Sequence, residues 1–207
     1  MHQILKYFPD LTSEQQSRLT RLGELYYYWN TRINVISRKD IKNLYLHHIL
    51  HSLSIVRLIQ FKAGTRIADV GTGGGLPGIP LSIIFTDSEF YFIDSVSKKI
   101  KVVNSIIDAL DLKNARAICA RAENVTVQYD FITGRAVTNL TEFVTVLASK
   151  LSPHSFNSLN NGIIYLKGGD VEEELRSLPY RSKVFKISDY FSEPFFETKK
   201  IIYVNPF

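Results

Sequence analysis

A chain of 207 residues is long enough to bury one hydrophobic core with a small extension. Its 45% hydrophobic and 22% charged residues are typical of a soluble globular protein. No apolar run reaches the roughly 18 residues that span a bilayer, and the N-terminal residues lack a signal-peptide pattern. Cys119 is the only cysteine, which excludes an internal disulfide, so we predict a buried thiol in a protein of the reducing cytoplasm.

The net charge of +5 is unevenly distributed along the chain. Residues 1–66 contain ten Lys/Arg and four Asp/Glu, whereas residues 67–207 contain fifteen and sixteen. This basic segment indicates a polyanionic partner, although a solvated basic surface would have the same composition. We therefore expect a basic helical extension over residues 1–64 and a second domain over residues 65–207.

The first predicted element is an amphipathic helix over residues 12–33. Thr12 or Ser13 can cap it, and its apolar residues keep three-to-four spacing. Residues 26–30 are unusually aromatic, and aromatic side chains can pack in a core or stack on unpaired bases. Trp29 falls on the apolar stripe, so we assign it to the core.

A second helix is predicted over residues 41–60, and it carries three histidines. His47 and His51 have the i,i+4 spacing that two metal ligands can use, and His48 lies between them. No adjacent set of cysteines or carboxylates completes a site, so we expect no metal.

A glycine-rich turn follows a predicted short strand at residues 67–70. Glycines cluster over residues 71–78, and an apolar helical run resumes at residues 79–84. Strand, glycine turn and helix form the first half of a βαβ unit. Glycines let backbone amides approach a ligand closely, and the helix N-terminus favours a negative group.

The glycine spacing separates two classes of ligand. Gly-x-Gly-x-x-Gly of dinucleotide folds fails when counted from Gly71, because Leu76 stands where the third glycine should be. Counted from Gly73 it fits, but it then starts two residues late relative to the strand. The pattern Asp69-x-Gly71-x-Gly73-x-Gly75 fits without a shift and resembles the first motif of S-adenosylmethionine-dependent methyltransferases. There an acidic residue at the strand end suits a cationic ammonium group, and the open glycine backbone admits an adenosyl group.

Further strands and helices alternate after the turn. Strands are predicted at residues 90–94, 115–120, 129–136, 162–168, 183–191 and 199–204. Helices are predicted from residue 97 to 110 and over residues 141–151 and 170–178. This order predicts an α/β fold with a doubly wound sheet and an antiparallel hairpin at one edge.

Candidate ligand-binding residues follow the ends of these strands, where such sheets bind ligands. Asp94 ends the second strand, and its carboxylate can accept both ribose hydroxyls of NAD or of S-adenosylmethionine. Ala122 and Glu123 follow the third strand, in the loop that borders the adenine in this class of fold. Arg135 leaves the fourth strand, where it can reach the cofactor or an anionic substrate; a surface ion pair is the alternative.

Several segments together resemble the bacterial small-subunit ribosomal RNA methyltransferase G family, also called glucose-inhibited division protein B. The segment Gly-Leu-Pro-Gly-Ile-Pro-Leu at residues 75–81 is the most specific. The other matching segments are Trp29-Asn30 with Asn34, His48-Ile49-Leu50, Asp69-Val-Gly-Thr-Gly, Asp94-Ser95, Ala122-Glu123, Arg135-Ala136 and Leu166-Lys167-Gly168.

The resemblance implies a Rossmann-like seven-stranded methyltransferase sheet with an N-terminal helical extension. It also implies methylation of guanine N7 in the 530 loop of 16S rRNA. S-adenosylmethionine would contact the residues Gly71, Leu76, Ala122, Glu123 and Arg135, and Gly73, Gly75 and Asp94 would shape the same pocket. The sequence departs from the family at His51, where an aspartate is usual, and at Gly134, where a serine is usual.

Methylation at N7 does not require a general base, and we assign none. The in-plane lone pair of guanine N7 is unprotonated at neutral pH, so it can attack the methyl group without a general base. Arg135 is our only candidate for electrostatic stabilisation at the site. We expect 16S rRNA or the small ribosomal subunit as partner, a monomer, and no membrane. An NAD-dependent oxidoreductase and a non-catalytic RNA-binding module remain as alternatives.

Overall fold

The computed structural model describes residues 1–137 and 139–207 and is built around a seven-stranded sheet. The strands are β1 (Arg66–Val70), β2 (Glu89–Asp94), β3 (Ala115–Cys119), β4 (Phe131–Arg135), β5 (Gly162–Gly168), β6 (Arg181–Lys186) and β7 (Lys199–Asn205). Their order is β3-β2-β1-β4-β5-β7-β6. Strands β1 to β5 are parallel, and β7 is antiparallel to both β5 and β6. The predicted α/β sheet with an antiparallel hairpin at one edge is confirmed.

Helices cover both faces of the sheet. The α-helices are α1 (His2–Tyr7), α2 (Ser13–Asn30), α3 (His51–Leu58), α4 (Gly78–Ile84), α5 (Ser97–Leu110), α6 (Leu140–Leu147) and α7 (Glu172–Arg176). Short 3₁₀ turns lie at Ile41–Asn43, Ala122–Asn124, Ala148–Lys150, Ile187–Asp189 and Pro194–Phe196. In the part of the chain that the structure describes, no helix has the length and apolar character needed to cross a membrane.

Helix α2 begins at the predicted cap and ends earlier than predicted. Thr12 Oγ1 accepts a hydrogen bond from the Gln15 amide at 3.2 Å, and Gln15 Oε1 accepts one from the Thr12 amide at 3.0 Å. The helix ends at Asn30 instead of residue 33. The Asn30 side chain accepts hydrogen bonds from the amides of Val35 and Ile36, which turns the chain back.

The second predicted helix is a composite of three types. A 3₁₀ turn leads into a π-helix over Leu44–Leu50, which continues as α3 and ends at Leu58, two residues before the predicted end. Leu19, Leu22 and Leu53 of the extension are fully buried in the same core cluster as Phe131 of the sheet. Burial of these apolar side chains packs the extension directly onto the sheet.

Two predictions need correction. Strand β6 ends at Lys186 instead of residue 191, because Ile187 starts a 3₁₀ turn that buries its own side chain. Cys119 is exposed, so its predicted burial is wrong. Strand β3 is the outer strand of the sheet, which leaves Cys119 at an open edge with its Sγ 3.8 Å from the Ser95 carbonyl oxygen.

Candidate active site

A cavity of about 400 Å³ opens at the carboxyl ends of the parallel strands. Val70 and Asp94, which end β1 and β2, line it together with Ala136, the residue after β4. Helix α6 forms another wall through Phe143 and Val146. The cavity therefore lies where open α/β sheets bind their ligands.

Of the glycine turn, Gly71 lines this cavity and Gly73 does not. Gly73 has a positive φ of +59°, which favours glycine. A Cβ built on Gly73 would meet no described atom within 4 Å, so the backbone here faces open space. In contrast, a Cβ on Gly75 would lie 2.1 Å from Ile79 Cδ1, and Leu76 is only 5% exposed. Gly75 and Leu76 therefore pack against helix α4, outside the cavity lining.

Asp69 supports the turn from beneath. Its carboxyl group is 1% exposed, and Oδ2 accepts hydrogen bonds from Thr72 Oγ1 at 2.6 Å and from the Gly78 amide at 3.0 Å. Oδ1 accepts a third from Thr133 Oγ1 at 3.2 Å. Burial raises the pKa of Asp69 to about 6, against the opposing effect of these hydrogen bonds. Asp69 thus fixes both ends of the glycine turn and does not face the cavity, unlike the sequence-based expectation of an ammonium partner.

Asp94 joins the glycine turn to the end of β2. Its Oδ2 accepts a hydrogen bond from the Gly73 amide at 3.0 Å, and its Oδ1 accepts one from the Val96 amide at 2.9 Å. Lys99 Nζ lies 3.7 Å from Oδ2. Each carboxylate oxygen has a second lone pair, so Asp94, which lines the cavity, can still accept hydroxyl donors from a ligand.

The loop after β3 completes the cavity. Ala122 and Glu123 lie in the 3₁₀ turn that follows this strand, and both line the cavity with their neighbour Arg121. Sequence reasoning missed Arg121 and Lys99, and it also missed the wall formed by α6. The available signal for α6 was its place directly after strand four, which puts its start at the ligand-binding edge of the sheet.

Arg135 is not among the residues that line the cavity, and its predicted contact with the cofactor stays a prediction. Side chains alternate along a strand, so Arg135 shares a face with Phe131, which belongs to the core beneath the extension. Its Nη2 lies 3.2 Å from His48 Nδ1. Burial lowers the pKa of the guanidinium. The guanidinium therefore joins β4 to the N-terminal extension.

His48 connects Arg135 to Asp40. His48 Nε2 lies 2.8 Å from Asp40 Oδ2, so a neutral ring can donate to Asp40 and accept from Arg135. Burial, together with the charge of Arg135, lowers the pKa of His48 to about 4, which favours this neutral form. Burial opposes ionisation of Asp40, but hydrogen bonds from Asn43, His47 and His48 prevail and lower its pKa to about 2.

The three histidines predicted on the second helix share neighbours in pairs. His47 Nδ1 contacts Asp40 Oδ1 at 2.6 Å, and its ring stacks on Phe195 at 3.9 Å between centroids. His51 is 6% exposed and packs edge-on against Phe195 and Phe196. Among the residues described, no group of three His, Cys, Asp or Glu side chains could hold a metal ion.

The geometry of the cavity suits a nucleoside with a charged tail. Phe143 and Val146 offer apolar surface for a flat ring, Asp94 offers a carboxylate for hydroxyl groups, and Gly73 leaves its backbone open. S-adenosylmethionine and NAD both contain such a nucleoside. The site alone therefore defines the ligand class, and the choice between them comes from the comparison with known proteins.

The chain is similar to curated ribosomal RNA methyltransferases over its whole length. The profile of the rRNA small subunit methyltransferase G family matches residues 15–202. The Ribosomal RNA small subunit methyltransferase G of Flavobacterium psychrophilum is 52% identical over 204 residues, which cover 99% of this chain and 97% of that protein. The protein of the same name from Cytophaga hutchinsonii is 50% identical over 207 residues and 100% of both chains.

A solved structure shows the same fold at low sequence identity. A SAM-dependent methyltransferase from Aquifex aeolicus superposes with a TM-score of 0.57 at 16% identity, covering 74% of this chain and 88% of that one. That likeness establishes a Rossmann-like methyltransferase fold for the seven-stranded sheet. With the full-length sequence matches, it shows that the chain belongs to the rRNA small subunit methyltransferase G family.

Proposed function

We propose that this protein transfers a methyl group from S-adenosylmethionine to N7 of a guanine in the 530 loop of 16S rRNA. This proposal rests on the open space at Gly73 and on the neighbouring carboxylate of Asp94, which accepts a hydrogen bond from the Gly73 amide. A backbone with that clearance can lie against a ligand, and the adjacent Asp94 can hold its ribose. Family membership supports the reaction and the substrate.

The residues that would hold S-adenosylmethionine are those that line the cavity or border it openly. Asp94 would accept hydrogen bonds from the ribose hydroxyls, and Ala122 and Glu123 would border the adenine. The backbone of Gly71 and Gly73 would lie against the methionine portion. Asp69, Gly75 and Leu76 keep a supporting role, because they shape the turn from its buried side.

Alignment is the main catalytic contribution that the geometry supports. S-adenosylmethionine supplies a methyl group bonded to a positively charged sulfur. The unprotonated lone pair of guanine N7 attacks directly, so the protein need not remove a proton. The glycine turn and Asp94 hold one reactant, and the basic extension holds the other. Such positioning can supply about 7–11 kcal/mol of a barrier.

Arg135 takes a positioning role in this proposal. Its guanidinium contacts His48 on the extension, while its backbone continues into Ala136 at the cavity. The residue thereby links the domain of residues 65–207 to the extension of residues 1–64. We propose that it sets the orientation of the RNA-binding surface relative to the methyl donor.

The proposed setting is a monomer in the cytoplasm that acts on 16S rRNA or on the small ribosomal subunit. The decisive experiment is single-turnover transfer of labelled methyl to naked 16S rRNA and to isolated small subunits, followed by nucleotide mapping. We expect label on one guanine of the 530 loop. Transfer to no RNA, or to another base, would overturn the proposal.

Calorimetric titration separates the two alternatives. An NAD-dependent oxidoreductase would bind NAD in preference to S-adenosylmethionine. A non-catalytic RNA-binding module would bind RNA but neither cofactor. We expect heat of binding with S-adenosylmethionine and none with NAD.

A further inference from the structure

A second cavity lies in the extension, away from the glycine turn. It has a volume of about 320 Å³ and is lined by Tyr27, Asn30, Thr31, Arg38 and Ile41. This volume is at the lower end of small-molecule sites. Tyr27 is 46% exposed, so its ring is accessible at the cavity wall. We call this cavity the extension cleft.

The polar wall of the extension cleft has spare hydrogen-bonding capacity. Asn30 is 8% exposed, and its Oδ1 accepts from the amides of Val35 and Ile36 at 3.0 and 2.9 Å. No described residue accepts a hydrogen bond from its Nδ2. An amide donor at the wall of a cleft can bond to the edge of a planar polar ring.

The surroundings of the cleft are basic. Residues 25–42 contain four basic side chains and one acidic side chain, Asp40, which is engaged by His47 and His48. The Arg32 guanidinium lies 3.7 Å from the centroid of the Tyr28 ring and donates to the Tyr28 carbonyl oxygen at 3.0 Å. Arg38 and Lys39 are also exposed. An aromatic ring in a cleft with arginine and lysine side chains nearby is the arrangement that binds single-stranded nucleic acid.

Residues next to the extension cleft contact the glycine turn of the proposed active site. Tyr26, which precedes Tyr27 on α2, donates its hydroxyl to the Gly74 carbonyl oxygen at 2.9 Å. Val35 packs against the same glycine, since a Cβ on Gly74 would lie 2.8 Å from Val35 Cβ. Tyr26 and Val35 therefore join the segment that bears the cleft to the glycine turn.

We infer that the extension cleft receives an unpaired nucleobase of the RNA substrate, stacked on Tyr27, with Arg32, Arg38 and Lys39 at the neighbouring phosphates. The inference rests on the proposed function and adds the place where the RNA is held. Base stacking favours single strands, because the faces of paired bases are already covered in a duplex. Asn30 adds a hydrogen-bond donor for the base edge.

The test compares two substitutions at one position. Tyr27→Phe keeps the aromatic face, whereas Tyr27→Leu keeps apolar bulk and loses the face. The probe is a fluorescently labelled 16S rRNA fragment that contains the 530 loop, measured by anisotropy. We expect Tyr27→Leu to bind about tenfold more weakly and Tyr27→Phe to stay close to the parent. Phe207→Leu is the matched control, since Phe207 is 59% exposed and follows β7 at the opposite end of the parallel strands.

The contacts to phosphates are tested by the salt dependence of RNA binding. Arg38→Glu should lower the log–log salt slope of binding by about 0.7–0.9. Thermal melting and S-adenosylmethionine titration confirm that each variant is folded and that its cofactor site is intact.

Each result decides the inference. Equal affinities of Tyr27→Leu and the parent would overturn it while leaving the proposed function intact. An equal loss in Tyr27→Phe and Tyr27→Leu would place the contact at the hydroxyl and would overturn stacking. Failure of the parent to bind the fragment would overturn the inference, whereas the proposed function would be overturned only by failed transfer to both naked 16S rRNA and small subunits.

Discussion

Two charged side chains at the carboxyl ends of the parallel strands have different surroundings. Asp94, at the end of β2, lines an open space and accepts a hydrogen bond from the Gly73 amide. Arg135, at the end of β4, lies among Tyr26, Asp69 and His48, and burial lowers its pKa. Asp94 is placed to meet a ligand, and Arg135 joins two parts of the protein.

The position of a residue on a strand therefore does not by itself assign its role. Asp69 and Asp94 both occur near the carboxyl end of a parallel strand, and both bond to the glycine segment. Asp69 lies under the turn with its hydrogen-bonding capacity directed at Thr72, Gly78 and Thr133, while Asp94 lines the cavity. Substitutions should therefore separate ligand contact from support.

The largest effect is expected at Gly73. Gly73→Val places a branched side chain in the open space at the turn, and we expect about 100-fold weaker binding of S-adenosylmethionine by calorimetry. Gly64→Val is the control for backbone strain, because Gly64 also has a positive φ of +78° and no described atom within 4 Å of a built Cβ. Gly64 lies at the amino end of β1. Equal losses in both variants would show that strain, not ligand contact, is responsible.

A smaller loss is expected at Asp94. Asp94→Ala removes the acceptor proposed for the ribose hydroxyls and releases the Gly73 and Val96 amides. Hydrogen bonds to charged groups contribute about 1.5–3 kcal/mol, so S-adenosylmethionine should bind about 10- to 100-fold more weakly. Unchanged affinity in a folded variant would remove Asp94 from the site.

Arg135 should affect turnover without affecting cofactor affinity. Arg135→Ala breaks the contact with His48, and we expect about tenfold slower methyl transfer with an unchanged dissociation constant for S-adenosylmethionine. Removal of the positive charge should also raise the pKa of His48 from about 4, as followed by NMR titration of its ring protons.

Arg135→Lys is the matched variant, since it keeps the charge and loses the guanidinium fork. It should leave the pKa of His48 closer to the parental value than Arg135→Ala does. A loss of cofactor affinity in Arg135→Ala as large as that of Asp94→Ala would show that Arg135 also supports the cofactor site.

The smallest effect on cofactor affinity is expected at Asp69, whose protonation instead makes stability depend on pH. Its folded pKa of about 6 lies above the ordinary value of 3.8, so the folded state holds the proton more tightly than the unfolded state. The contribution of Asp69 to stability is present below pH 4 and is lost as pH rises to about 6.

Asp69→Asn removes this titration while its amide can still accept from Gly78 and donate to Thr133. The parent should therefore lose about 2 kcal/mol relative to Asp69→Asn between pH 4 and 6, measured by urea unfolding. Parallel stability curves for the two proteins would contradict the assignment, and cofactor affinity should change by only a few fold.

The periodic features of the sequence predicted the fold well. Alternation of apolar strands with helical stripes gave every strand of the sheet, and the capping box at Thr12 gave the start of α2. The end of α2 depended on the Asn30 side chain bonding to Val35 and Ile36, a local competition that periodicity does not record. Cys119 was misplaced because strand order, which decides which strand is outermost, is not visible in a single strand.

The site was predictable in its backbone and less so in its side chains. The turn at residues 71–78 and the end of β2 follow from strand, glycine and helix signals in order. The direction of Arg135 depends on which face of β4 the extension covers, and that is a property of packing. Gly134 shows the same dependence, because a Cβ there would lie 2.5 Å from Phe143 Cζ in the wall of the cavity.

A crystal structure with bound S-adenosylhomocysteine would locate the cofactor. We expect ribose hydroxyls within hydrogen-bond distance of Asp94, adenine against Ala122, and the Gly73 backbone against the amino-acid tail. Arg135 should remain bonded to His48. A ligand bound elsewhere, or a ribose without contact to Asp94, would overturn this assignment.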